Sequence, residues 1–245
     1  MTNHIHIETL SKDISFEMIP IEGGTFRMGD EVGDLWDTCR PLHQVTVGDF
    51  HIGKYPVTQA LWKAVMGEEN NPSFFIGDQR PVEQVSWDNA QVFLQKLNAL
   101  TGRDYRLPTE AEWEFAARGG KKGRGHKYAG SDKLKEVGWF DDNSHGETKP
   151  VGLKDPNELD IFDMSGNVWE WCEDWFGSDY YKKCEKQGIV ENPRGPETGS
   201  ARVYRGGGWF DDARSCRAAR RNRWHPAYRY SAIGFRLALS LQSVG

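Results

Sequence analysis

Apolar and polar positions alternate from Phe16 to Met28, with Gly23-Gly24 between the two halves, and this pattern predicts a hairpin of two short strands. The alternation returns over residues 43–52. There Val45 and Val47 precede a possible turn at Gly48-Asp49, and Phe50 and Ile52 resume the pattern, predicting a second hairpin. The period then lengthens. Thr58 is placed to cap a short helix whose Trp62 and Val65 share a face. Ala90, Phe93, Leu94 and Leu97 follow at i, i+3, i+4 and i+7 behind Ser86, and Gly102 ends the run, so a helix is predicted near residues 87–100. A second helix, near 109–118, opens with Thr109 and Glu112 in a capping box and closes at Gly119-Gly120. A long stretch rich in Gly, Asp, Asn and Lys comes next. Only "GNVWEWCEDW" interrupts it, as a short aromatic strand, before "ARVYRGGGW" and "AIGFRLAL" read as the closing strands. Two main helices, many short strands and long loops predict an α+β domain of low regular secondary structure.

The chain has 245 residues, enough to bury a core without help from a metal or a disulfide. Its 27 glycines suit many tight turns, and its 10 tryptophans suit a core of large rings or a binding surface. The four cysteines, Cys39, Cys172, Cys184 and Cys216, form no C-x-x-C pair. They read as free thiols, with a Cys172–Cys184 bridge left open. No basic-then-apolar leader pattern opens the chain and no apolar run is long enough for a span, so the expectation is a cytoplasmic protein without membrane contact, unless a leader has been removed. Net charge is −5, yet residues 202–237 carry nine arginines, no lysine and two aspartates. Arginine without lysine favours fixed, planar pairing over a diffuse positive field. With the acidic total, this argues against nucleic acid as the partner.

Seven phrases stand in order: "GGTFRMGD", "YPVTQALW", "PVEQVSWDNA", "YRLPTEAEWEFAARGG", "DMSGNVWEWCEDW", "RVYRGGGW" and "IGFRLA". Together they resemble the formylglycine-generating enzyme, or sulfatase-modifying-factor, family, over roughly residues 16–240. The resemblance implies an elaborated C-type-lectin-like fold (formylglycine-generating-enzyme-like, with two main helices). Residues 1–15 are then expected to be an N-terminal extension and 16–245 the domain. Catalytic members oxidise a protein cysteine to formylglycine with copper held by two active-site cysteines, which are soft ligands suited to Cu(I). The first of these stands three positions after the glycine motif. Here the motif is Arg205-Gly206-Gly207-Gly208 and that position is Asp211; Cys216 matches neither cysteine. No copper is expected, and enzymatic activity is not favoured. Glu110 and Glu114, four apart, read as acids serving a helix N-terminus.

Within "DIFDMSGNVWEW" the resemblance points to a structural calcium site made by the side chains of Asp163 and Glu170 and the carbonyls of Gly166 and Val168. The alternative for the same residues is an Asx-type turn with Glu170 paired to an arginine from the C-terminal segment.

That segment has a frame and fillers. The frame, R-G-G-x-W, R-x-C-R-A-A-R and I-G-F-R-L, reads as turns, buried pairs and core, with Arg205, Arg217, Arg220 and Arg236 forking inward. The fillers are of the type used by rigid polar-aromatic binding surfaces. They include Trp209, Phe210, Asp211, Asp212, Ser215, Asn222, Arg223, Trp224, His225, Tyr228, Tyr230 and Ser231. The arrangement resembles the variable proteins of diversity-generating retroelements, which place a hypervariable C-terminal region on this same lectin fold. The expected function is therefore non-catalytic binding of a macromolecule, foremost a protein, through loops within 202–237. An oxidase of the formylglycine-generating type, or a related non-haem iron enzyme, is the alternative.

Overall fold

The computed structural model describes residues 4–33 and 35–240. Residues 1–3, 34 and 241–245 lie outside the described residues, and with them the outer ends of the two expected regions. Three sheets organise the chain. The first has five strands in the order β1 (His6–Ser11), β2 (Ile14–Ile21), β5 (Phe50–Gly53), β12 (Ala238–Ser240) and β6 (Tyr105–Arg106). The second has four, in the order β10 (Arg221–Trp224), β9 (Arg202–Arg205), β7 (Trp169–Trp175) and β11 (Ile233–Phe235). The third is β3 (Gly24–Met28), β4 (His43–Val47) and β8 (Ile189–Glu191).

The helices follow their caps. In α1 (Gln59–Met66) the Leu61 amide donates to Thr58 Oγ1. In α2 (Trp87–Thr101) Ser86 and Asn89 close a capping box, and Gly102 takes the left-handed conformation that ends it. In α3 (Glu110–Ala117) Thr109 and Glu112 do the same. Two single turns, α4 (Leu134–Val137) and α5 (Asp141–Ser144), punctuate the glycine-rich stretch. That stretch also holds α6 (Tyr180–Gln187), which the sequence reading did not predict. Most of its positions are polar, and it is held by burying Tyr181 and Cys184.

Neither predicted hairpin forms. β2 pairs with β1 and β5, whereas β3 pairs with β4, and β4 and β5 likewise belong to different sheets. The two glycine turns are instead the places where the chain passes from one sheet to the other. They pack on each other: the Gly23 amide donates to Asp49 Oδ1 at 2.8 Å, and a Cβ on Gly23 would lie 2.3 Å from the Val47 carbonyl oxygen. The domain boundary at residue 16 is also corrected. β1 pairs with β2 over His6–Ser11, so the expected extension is part of the first sheet.

Two apolar clusters meet along β7. Trp62, Phe93 and Phe235 anchor one, with Trp62 and Phe93 stacked at 5.3 Å. Trp113, Phe115, Val45 and Ile52 anchor the other, beneath α3.

A candidate recognition surface on the C-terminal segment

The C-terminal segment is fastened from inside by arginines. Arg205, fully buried on β9, donates through Nη1 to Glu110 Oε1 at 2.7 Å and through Nη2 to Glu114 and the Ala218 carbonyl. Arg221 on β10 grips Glu110 with Nε and Nη2 at 2.7 and 2.6 Å. Arg118 takes the other oxygen of Glu114. Glu110 lies in the first turn of α3 as expected, but Glu114 lies further along the helix, and neither acts chiefly on the helix start. They are buried counter-ions for the segment, and the earlier reading of them is corrected. Burial works against their charge, but Arg221 and Arg205 at Glu110, and Arg118 and Arg205 at Glu114, outweigh it and hold both carboxyls below the ordinary range. Arg220 lies 3.7 Å over the Trp36 ring and donates to the Arg221 carbonyl. Arg217 is half-buried.

Arg236 does the same work at the start of β7. Its Nε and Nη2 take both oxygens of Glu170 at 2.6 and 2.7 Å, and Trp113 Nε1 donates to Glu170 Oε2 at 2.6 Å. This bears directly on calcium. The neighbouring backbone is a tight turn, with Asp163, Gly166 and Asn167 at φ of 58, 85 and 64°. Asp163 accepts the Gly152 amide and Asn167 Nδ2, so its carboxyl serves the turn, and burial pushes its pKa up to about 6. A dication here would have to compete with a guanidinium for Glu170. Asp163, Gly166, Val168 and Glu170 therefore do not fit a calcium ion as arranged, and the Glu170–arginine pair of the alternative is the one that forms, while the Asp163 carboxyl bonds to Gly152 and Asn167.

Outside this fastening runs a ladder of rings. Trp224 and Tyr228 are 4.6 Å apart, Tyr228 and Tyr230 6.3 Å, Tyr230 and Phe210 5.3 Å, and Phe210 and Trp209 5.4 Å. Trp224 is 49 % exposed, Tyr230 39 % and Phe210 37 %. Tyr228 is half-buried against the first core cluster. Trp209 is half-buried too, its Nε1 donating to the Ser231 carbonyl.

The polar fillers divide. His225 and Asp212 are exposed beside the ladder, and Ser215 and Ser231 are half-buried. Asp211 is not a free recognition group: its Oδ2 accepts Trp169 Nε1 at 2.7 Å and the Gly208 amide at 2.9 Å, and burial pushes its pKa up to about 6. Arg223 is exposed, but its guanidinium lies 4.1 Å over Phe176, on the strand face that also carries Arg221. Alternation along β10 puts Asn222 and Trp224 on the opposite face. The expected single surface thus loses Arg223 to the other side of an edge strand and Asp211 to the scaffold.

The sequence reading missed one end of the ladder. The ring of Phe75 packs edge-on to Trp209 at 5.3 Å and to Phe74 at 4.9 Å, extending the series to seven rings. Phe74 is 69 % and Ile76 71 % exposed. Just beyond this loop, the Gln84 amide donates to the Tyr230 carbonyl at 3.0 Å. Two adjacent phenylalanines in a Pro- and Gly-bounded loop, outside any helical stripe, were the available signal.

All four cysteines are buried and free, so Cys172 and Cys184 are not bridged. Burial raises the Cys172 and Cys216 thiols well above the ordinary thiol range. No helix among the described residues is long and apolar enough to cross a membrane.

Comparison with known proteins agrees with this architecture. Residues 7–241 match the family profile of the sulfatase-modifying factor enzyme 1-like domain. The solved Treponema denticola variable protein 1 superimposes with a TM-score of 0.87 at 31 % identity, over 98 % of this chain and 100 % of that one. A curated formylglycine-generating enzyme of Streptomyces coelicolor is 31 % identical, over 90 % of this chain and 88 % of its own length. A curated chaperone protein LppX of Paenibacillus barcinonensis is 34 % identical, over 80 % of this chain and 79 % of its own.

Proposed function

We propose that this chain, which belongs to the sulfatase-modifying factor enzyme 1-like family, is a binding module rather than an oxidase, and that it engages a protein partner through the ring ladder. The observation that carries the reading is the ladder itself, whose exposed members rise from a frame pinned by buried arginine–glutamate pairs. Large rings on a rigid base supply contact area at low entropic cost, as binding surfaces require. The resemblance to the Treponema variable protein supports it. So does the chemistry of the site: Asp211 stands where formylglycine formation calls for the first of two reactive thiolates, and Cys216, which matches neither of them, is a buried thiol raised well above the ordinary range.

The test has two arms. Dodecapeptides selected from a random displayed library on the intact protein should bind Trp224→Ala at least about tenfold more weakly, because anchors of this type each contribute on the order of 2 kcal/mol. Equal binding to the variant overturns the placement of the surface. Oxygen uptake with a cysteine-containing peptide and added copper or iron should not exceed that of the metal alone, and turnover above it returns the protein to the oxidases.

A further inference from the structure

Behind the Phe74–Ile76 end of the ladder sits a carboxyl that the frame does not use. Glu83 is fully buried. Its Oε1 accepts the Phe75 amide at 2.8 Å, and its Oε2 has no hydrogen-bond partner among the described residues. Its own amide donates to Ser73 Oγ at 3.2 Å, and the next residue, Gln84, reaches the Tyr230 carbonyl. Glu83 therefore touches both sides of the 71–77 loop and adjoins the C-terminal loop.

We propose that Glu83 is the positioning residue of the 71–77 loop and works as a proton-operated latch on the recognition surface. A buried carboxylate needs partners on both oxygens, and this one has a partner on one only, so the loop position seen suits the neutral acid. Burial raises the carboxyl to about 7, against the opposing effect of the Phe75 and Phe74 amides and of Arg80. An opened loop would wet the group and return it toward the ordinary carboxylate range. The closed loop thus binds the proton more tightly than the open one, and linkage fixes the direction: acidification below about 7 favours the closed position, and ionisation loosens it.

The groups around the latch are few. Arg80, on the same segment, is the charge acting on Glu83; it is held by Glu147 at 3.0 Å and by the Thr148 carbonyl. Glu147 also binds Lys149 at 2.6 Å. Helix α1 contributes the uncharged Gln59, which holds the Phe75 and Pro81 carbonyls and the Gly77 amide, while Lys63 on the same helix is paired with Asp78. From the C-terminal loops the Trp209 ring meets Phe75, and Asp211, which also titrates, lies in the same loop as Trp209.

The functional consequence rests on the recognition reading, but the latch does not, and the experiment separates them. Carboxyl and amide resonances of the isotope-labelled protein are followed from pH 4 to 9, roughly the range that spans an ordinary and a raised carboxyl. Glu83 and the Phe75 amide should titrate together near neutrality. Glu83→Gln should abolish the Phe75 transition, and Asp211→Asn should leave it in place. A Glu83 midpoint in the ordinary carboxylate range overturns the latch from the wild-type data alone, and so does a Phe75 transition that survives in Glu83→Gln. The library-selected dodecapeptides should bind the wild type several-fold more tightly at pH 6 than at pH 8, and should bind Glu83→Gln equally at both. A latch that titrates while peptide affinity stays flat overturns its link to recognition, whereas the loss seen with Trp224→Ala would still stand.

Discussion

Each buried arginine of the C-terminal segment is worth most for what its loss would strand. In Arg236→Ala both oxygens of Glu170 lose their guanidinium in a site without solvent, and breaking such a pair costs about 3–5 kcal/mol. Urea denaturation should show that loss, or no folded protein at all. Trp224→Ala removes an exposed ring from an edge strand and should change stability by no more than about 0.5 kcal/mol while weakening peptide binding. Tyr228→Ala should lower stability as well as weaken binding, because that ring packs on the core as well as on Trp224. This difference between neighbours was not legible in the sequence, where the two residues fill equivalent places. Nor was the role of Glu110 and Glu114: Arg118 is a local partner of Glu114, but the segment arginines that bind the two acids, Arg205 and Arg221, lie far later in the chain, beyond any local pattern. Arg205 and Arg236 were legible, because an arginine set among glycines and small residues has little to do except reach inward.

Among the elements, capped helices were readable and strand partners were not. Thr58, Ser86 and Thr109 each cap the helix predicted for them, since capping is a contact between residues three apart. Thr109→Ala should therefore cost about 1 kcal/mol, measurable as a lower denaturation midpoint. Alternation located β2, β3, β4 and β5 but could not say which sheet each joins, because period two is the same in every sheet. The turn at 163–167 carries a clear prediction of its own. With Glu170 committed to Arg236, chelator should leave the melting curve unchanged; a drop on chelation, reversed by calcium, would show that a native-state ligand had been removed.

For the molecule as a whole, buried acids of two kinds set opposite limits on stability. Glu83 at about 7, and Asp163 and Asp211 at about 6, are raised by burial. Their contribution is complete below the unfolded values and is lost as pH rises through 6 to 7. Glu110 and Glu114 are held low, so theirs is present above the ordinary glutamate range and is lost as pH falls below it. Stability should therefore peak on the acid side of neutrality, and denaturation in urea at pH 5.5 should require more denaturant than at pH 8. A midpoint that rises steadily to pH 8 would contradict these assignments.

The placement of β12 has a consequence for how the protein is made. This strand lies between β5 and β6 in the five-stranded sheet, and β11 lies parallel to β7 in the four-stranded one. The chain that leaves the ribosome first therefore waits, with a gap in one sheet and a missing edge in the other, until residues near 240 emerge. Folding waits on translation through and just past the segment that bears five of the seven ladder rings. A chain cut short within it lacks β11 and β12 and leaves the first sheet with a gap and the second without its edge.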